Sequence, residues 1–263
     1  MRLTTKLTQL LLAGAWLLAS ALALAQQVPT IAAASDLQFA LDDIAARFQK
    51  ESGRAVRITY GSSGNFTRQI AQDAPFEMFL SADEAYVFQL AGQQLTPDRG
   101  VRYASGRIVL FVPRNSTFKP DAQLAGLRQA LADGRIQRFA IANPEHAPYG
   151  RAAMQALQSA GLWDQLQPHL VLGENVSQAA QFATSGSAQG GIFAYSLALA
   201  PAVSARGLFV VLPDSLHQPL HQRMVLTRKA GETARLFYAY LQQPAARAVF
   251  RRYGFALPGE SAN

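Results

Sequence analysis

The sequence predicts an α/β fold with mostly parallel sheets. Three observations carry this. Short β-branched or apolar runs alternate, from Pro29 onward, with amphipathic stretches of about ten residues, the pattern of strands joined by crossover helices. No internal repeat, low-complexity tract or Ser/Gly/Pro linker interrupts that alternation. A chain of 263 residues, 49% of them hydrophobic, can bury a large core and sits at the border between one domain and two. If there are two lobes, the chain crosses between them on ordered strands, with Ile108–Val112 and Arg223–Thr227 as candidates.

The N-terminal stretch reads as a processing signal. Arg2 and Lys6 precede a long apolar run, and Ala23-Leu24-Ala25 fits a small-x-small cleavage site. Residues 1–25 are therefore expected to be a secretory signal peptide. A retained membrane anchor is the alternative, but the apolar stretch is short for a span. Past it, Val28–Ala33 is a short apolar run. Leu37, Ala40, Leu41, Ile44 and Phe48 then recur at helical spacing, and the pattern ends near Gly53. Further strands are expected at Val56–Tyr60, Phe76–Ser81, Ile108–Val112, Arg138–Ala142 and Leu170–Leu172, then at Gly191–Ala194, Phe209–Leu212 and Arg223–Thr227. Further helices are expected at Phe66–Ala71, Asp83–Gly92, Leu124–Ala132, Arg151–Ala160, Ser177–Thr184, Thr233–Leu241 and Ala245–Tyr253.

Composition narrows the chemistry. The chain has no cysteine, which excludes disulfides, thiolate metal sites and cysteine catalysis. The net charge is +7, spread without any block of five like charges. Such a surface steers small anions and aids solubility. Export makes nucleic acid an unexpected partner.

One pattern recurs four times: a strand ends, small or hydroxyl residues follow, and a helix begins. The four are AAASDLQ, YGSSGNF, IANPEHAPYGRAAM and GENVSQAAQF. Ser35 with Gln38 fits a capping box. Tyr149-Gly150 precede a helix. Asn175 fits an N-cap, with Val176 at the first helical position. Each junction offers unpaired N–H groups and the positive end of a helix dipole. In open α/β sheets, ligands bind at such strand ends, and converging helix starts suit an anion. Plain capping is the alternative at any single junction.

Other chemistries fit less well. A nucleophile elbow needs G-x-S-x-G, but Gly61-Ser62-Ser63-Gly64-Asn65 ends in Asn. A phosphate loop needs a Gly-Lys pair, and none occurs. His217 and His221 are split by Pro219. His146 beside Glu145 reads as part of a rigid turn. No direct ligands to a metal cation are expected. Trp163 reads as core.

The ordered set AAASDL, YGSSGNFTRQI, APFEMFLSADEAY, IANPEHAPYG, GENVSQA and RRYGF resembles the periplasmic molybdate-binding proteins of ABC transporters, across nearly all of the expected mature chain. The resemblance implies a type II periplasmic binding protein fold. Lobe 1 would take residues 26–107 and lobe 2 residues 108–221. Residues 222–263 would return to lobe 1. It also implies a ligand cleft between the lobes that binds molybdate, and tungstate, through hydroxyls and backbone N–H groups. Ser35 and Ser63 match the hydroxyl donors from one lobe, with Ser62 the second choice. Tyr149 and Val176 match donors from the other. The Asp36 N–H is a further donor, although its carboxylate would oppose a dianion unless it points away. The strand end Gly191-Ile192-Phe193-Ala194-Tyr195 departs from the family pattern and turns Tyr195 from the ligand. Implied with these are a periplasmic, monomeric, non-enzymatic solute-binding protein without a cofactor, and an ABC permease as partner. Sulfate or another tetrahedral oxyanion is the alternative ligand, and a secreted serine hydrolase the alternative class.

Overall fold

The computed structural model describes residues 28–259, and the expected signal peptide, residues 1–25, lies outside them. One sheet comprises β1 (Thr30–Ala34), β2 (Arg57–Gly61), β3 (Met78–Ser81), β4 (Val101–Gly106) and β10 (Leu220–Leu226). Its strand order is β2-β1-β3-β10-β4. The other comprises β5 (Ile108–Pro113), β6 (Phe139–Ala142), β7 (Leu170–Gly173), β8 (Gly191–Ala194) and β9 (Gly207–Val211). Its order is β7-β6-β8-β5-β9.

The expectation of mostly parallel sheets holds for strand direction, since in each sheet one strand alone, β10 or β5, runs against the other four. β1 runs parallel to β2 and β3, and β6 parallel to β7 and β8. β10 is antiparallel to β3 and β4, and β5 antiparallel to β8 and β9. The cause lies in the crossings. Only Arg107 separates β4 from β5, so the chain passes directly from one sheet into the other, and it returns through residues 212–219. The strands that follow the crossings, β5 and β10, enter their sheets against the βαβ direction. Strand β4 escapes sequence reading because VRYASG has no apolar run and no clean alternation. At the crossing, the Arg107 guanidinium donates to the Gly254 carbonyl at 3.0 Å and lies 4.8 Å over the Tyr195 ring.

Helices fill the remaining chain: α1 (Gln38–Ser52), α2 (Ser63–Ala71), α3 (Glu84–Gly92), α4 (Ala125–Ala132) and α5 (Pro148–Ser159). After these come α6 (Trp163–Leu166), α7 (Val176–Thr184), α8 (Tyr195–Ala198), α9 (Pro201–Ser204), α10 (Glu232–Tyr240) and α11 (Pro244–Arg252). α1 buries Ala40, Leu41, Ile44 and Phe48, the helical spacing seen in sequence, and stops where Gly53 takes φ +71°. Alternation in β1 sends Ile31 and Ala33 to the main core and Ala32 to a smaller cluster on the other face. Phe66 and Ile70 of α2 join that cluster with Phe79, Val87 and Leu90. Each such buried side chain contributes roughly 1.5–3 kcal/mol. This packing pins the start of α2 beside the carboxyl end of β2.

Candidate functional site

The four junctions converge. Ser35 and Asp36 follow β1, Ser62 and Ser63 follow β2, Tyr149 opens α5, and Val176 opens α7. All six residues line one small cavity. Residues of the first sheet form one wall, and Ala147, Pro148, Tyr149 and Val176 of the second form the other. None of the lining residues is Lys, Arg or His.

The two adjacent serines divide their work. Ser62 is the N-cap of α2, and its Oγ accepts from the Asn65 N–H at 3.4 Å. That oxygen also lies 3.0 Å from His146 Nδ1. Ser63 Oγ accepts from the Ala82 N–H at 3.0 Å. A hydroxyl that accepts in this way keeps its own proton to donate. Ser63 is fully buried, so that proton is directed within the protein interior rather than to bulk water.

Ser35 behaves differently from the capping-box expectation. A 3-10 turn, Ser35–Leu37, stands between β1 and α1. It moves the N-cap of α1 to Leu37, which makes no side-chain cap. Ser35 Oγ instead accepts from the Ser177 N–H at 3.2 Å and donates to Asn175 Oδ1 at 3.0 Å. Asn175 is the N-cap of α7, as its position before Val176 predicted.

On the second-sheet side, α5 starts at Pro148, earlier than Arg151. Proline suits that first position because its missing N–H would be unpaired anyway. Tyr149 and Val176 therefore sit in first turns, where N–H groups have no acceptor within their own helix. The Tyr149 hydroxyl is engaged elsewhere. It donates to Asp36 Oδ2 at 2.9 Å and accepts from Gln222 Nε2 at 3.0 Å. Gln222 Nε2 also donates to Asp36 Oδ2 at 2.7 Å, and Gln222 Oε1 accepts from the Tyr103 hydroxyl at 2.6 Å. Gly106 makes room for this group, since a Cβ there would lie 2.1 Å from the Tyr149 hydroxyl oxygen.

Asp36 is the electrostatic anomaly. It is 1% exposed. Burial raises its pKa to about 6, against the hydrogen bonds from Gln222, Tyr149 and its own backbone, which lower it. Burial and the Asp36 charge hold the Tyr103 and Tyr149 phenols well above their ordinary range. Asp36 Oδ1 is buried with no hydrogen-bond partner among the described residues.

Many contacts join the two sides around the cavity. Gly64 N–H donates to the His146 carbonyl at 2.9 Å, Ser177 Oγ to the Ser35 carbonyl at 2.8 Å, and Ser196 Oγ to the Asp36 carbonyl at 2.8 Å. Asn65 meets Glu174, and Arg151 meets Asp83.

Sequence reasoning missed His146, Gln222 and Tyr103 as parts of this site. Gln222 left a signal. It falls in phase with buried Leu220 and Met224 along β10, a polar residue on the apolar face of an alternating strand. Tyr103 was lost with β4. His146 left none, because its partner Ser62 is 84 residues away. His217 and His221 take no part in the cavity, and no cluster of His, Cys, Asp or Glu suited to a metal ion occurs among the described residues. Tyr195 opens α8 under Arg107 and is not among the lining residues. Trp163 is partly buried against the core.

Known proteins resemble this chain over most of its length. The bacterial extracellular solute-binding protein family matches residues 29–256. The molybdate-binding protein ModA of Rhodobacter capsulatus is 33% identical over 258 residues, covering 95% of this chain and 98% of that protein. ModA of Azotobacter vinelandii is 34% identical over 253 residues, covering 93% and 95%. The solved periplasmic molybdate-binding protein of Azotobacter vinelandii superposes with a TM-score of 0.79 at 32% identity, covering 88% of this chain and 99% of that one.

Proposed function

The chain belongs to the bacterial extracellular solute-binding protein family, and from that premise we propose that it binds molybdate, and tungstate, for delivery to an ABC permease. The observation that carries this is the cavity itself. It offers hydroxyls of Ser35 and Ser63 and first-turn N–H groups of Tyr149 and Val176, with no cationic side chain in its lining. A fully deprotonated tetrahedral oxyanion only accepts hydrogen bonds, so neutral donors and helix dipoles suit it. The relatives that carry molybdate in their names support the choice of anion.

Two lobes, residues 26–107 with 222–263 and residues 108–221, close over the anion and present it to the permease. The chain acts in the periplasm as a monomer without a cofactor. Asp36 contributes its backbone N–H in this reading. Titration calorimetry with molybdate, tungstate, sulfate and phosphate tests it. Molybdate and tungstate are expected to bind tightest, and equal or tighter sulfate binding overturns the assignment.

One observation favours a second reading. Ser62 Oγ, His146 Nδ1 and, at 3.5 Å from His146 Nε2, Glu174 Oε2 form a serine–histidine–acid series. The Ser62–His146 link joins opposite walls of the cavity, so any opening that admits an ester separates the nucleophile from its base. Ser62 Oγ is also committed to capping α2. The series therefore clamps the two sides together. Stable labelling of Ser62 by a fluorophosphonate probe would sink this conclusion.

A further inference from the structure

Asp36 is a puzzle for an anion site. It lines the cavity, and a carboxylate there repels a dianion. Its two oxygens differ sharply. Oδ2 accepts from both the Tyr149 hydroxyl and Gln222 Nε2. The direction of these bonds is fixed from outside. Tyr103 donates to Gln222 Oε1, which turns the amide nitrogen toward Asp36, and that same nitrogen supplies the hydrogen bond that Tyr149 accepts. The Tyr149 proton is then left for Asp36. With Oδ2 occupied by two donors, a proton on the carboxyl group belongs on Oδ1. Oδ1 is the oxygen that is buried and unpartnered among the described residues.

We propose that Asp36 is a proton-carrying ligand: Oδ1 takes a proton from solvent as the oxyanion enters and donates it as a hydrogen bond to an anion oxygen. This rests on the oxyanion reading above and adds one donor to it. The balance is simple. One carboxylate, one proton and one dianion give a neutral acid hydrogen-bonded to a dianion, with no bond of the anion broken. The site thereby turns its one repulsive group into a donor.

The surroundings agree. The groups that face Asp36 are Tyr103 from β4, Tyr149 from α5, Gln222 from β10 and the Ser196 hydroxyl from α8, which donates to the Asp36 carbonyl. Neither Gln222 nor Ser196 titrates, and both phenols are held protonated by burial. Asp36 is thus the titrating member of the group. Its pKa, already about 6, rises further beside a dianion. Above about pH 6 it is ionised before binding and, in this proposal, protonated after.

The test is calorimetry with molybdate at pH 7, 8 and 9, each in two buffers of different ionisation enthalpy, neither of them an oxyanion. The wild-type protein is expected to take up close to one proton per anion and to lose up to about tenfold in affinity per pH unit. In Asp36→Asn, the amide nitrogen stands where the acid proton would be, so binding is expected without proton uptake and with a flat pH profile. Zero uptake and a flat profile in the wild type overturn the proposal, as does undiminished uptake in Asp36→Asn. If the variant does not fold, the wild-type proton count decides alone. Binding without proton uptake removes this inference and leaves the oxyanion reading standing, whereas no binding of any oxyanion at any pH removes both.

Discussion

Ser35 and Ser63 hold matching places, each just past the carboxyl end of a strand in the first sheet, yet their hydroxyls are used differently. Ser63 accepts from Ala82, a neighbour on its own side of the cavity, and keeps its proton. Ser35 reaches across to α7, donating to Asn175 and accepting from Ser177. The first is held entirely from its own side of the cavity. The second also joins the two sides of the cavity. In the proposed function, two serines that look alike in sequence would therefore serve binding in distinct ways, one by readiness and one by coupling the anion to closure.

Removing both hydroxyls has the largest expected effect. A hydrogen bond to a charged group contributes about 1.5–3 kcal/mol. Ser35→Ala with Ser63→Ala is therefore expected to weaken molybdate binding by roughly 100- to 20,000-fold, read by calorimetry, with unchanged circular dichroism. The single variants separate the two roles. Ser35→Ala is expected to shift the ligand-free protein toward a larger radius of gyration in small-angle scattering, and Ser63→Ala to leave it unchanged. Equal shifts would erase the distinction.

The Ser35 junction also carries the buried acid, which the Ser63 junction does not. Asp36 keeps its proton in the folded chain up to about pH 6, against 3.8 for an unperturbed Asp. The folded state thus binds more protons than the unfolded one between those values, and stability falls as pH rises through that window. Above it, the loss is complete and amounts to at most about 3 kcal/mol. Asp36→Asn is expected to recover up to that amount at pH 8 and nothing at pH 3, measured by urea unfolding at both. A gain of the same size at both pH values would assign it to packing instead.

A third variant tests closure from the Ser63 side. A Cβ on Gly64 would lie 2.7 Å from the His146 carbonyl oxygen, a backbone atom across the cavity. Overpacking of this kind costs roughly 1–3 kcal/mol. Gly64→Ala is therefore expected to weaken binding by about 5- to 150-fold while the separate lobes stay folded. Unchanged affinity would mean that closure does not bring these atoms together.

How much of this was legible in the sequence depends on range. Ser35, Asp36, Ser63, Tyr149 and Val176 were legible because each sits within a few residues of a strand end and a helix start, a local pattern. The apolar runs of β1, β3, β5, β6 and β8 were legible for the same reason. The Ser35 contact was not, because a 3-10 turn of three residues displaced the cap, and nothing in SDLQ distinguishes the two geometries. The Asp36–Tyr149–Gln222–Tyr103 group joins residues from four separate elements, up to 186 positions apart, and only the fold assembles it. The antiparallel entry of β5 and β10 was likewise hidden, since strand direction follows from where the chain crosses.

Asn175 offers the smallest and sharpest test of the opening contrast. Its Oδ1 serves two donors, the Gln178 N–H at 3.1 Å as an N-cap and the Ser35 hydroxyl at 3.0 Å. Asn175→Ala removes both. Losing an N-cap costs about 1 kcal/mol, which in a protein of this size lowers Tm by about 2–4 °C. The effect on binding discriminates two arrangements. If the Ser35 proton leaves Asn175 for the anion on binding, Asn175→Ala removes a bond of the ligand-free state alone, and affinity is expected to stay level or rise by up to about tenfold. If affinity instead falls as far as in Ser35→Ala, Asn175 orients the hydroxyl toward the anion, and Ser35 is as pre-organised as Ser63. Thermal unfolding and calorimetry on this one variant therefore decide whether the two serines differ in kind or only in their neighbours.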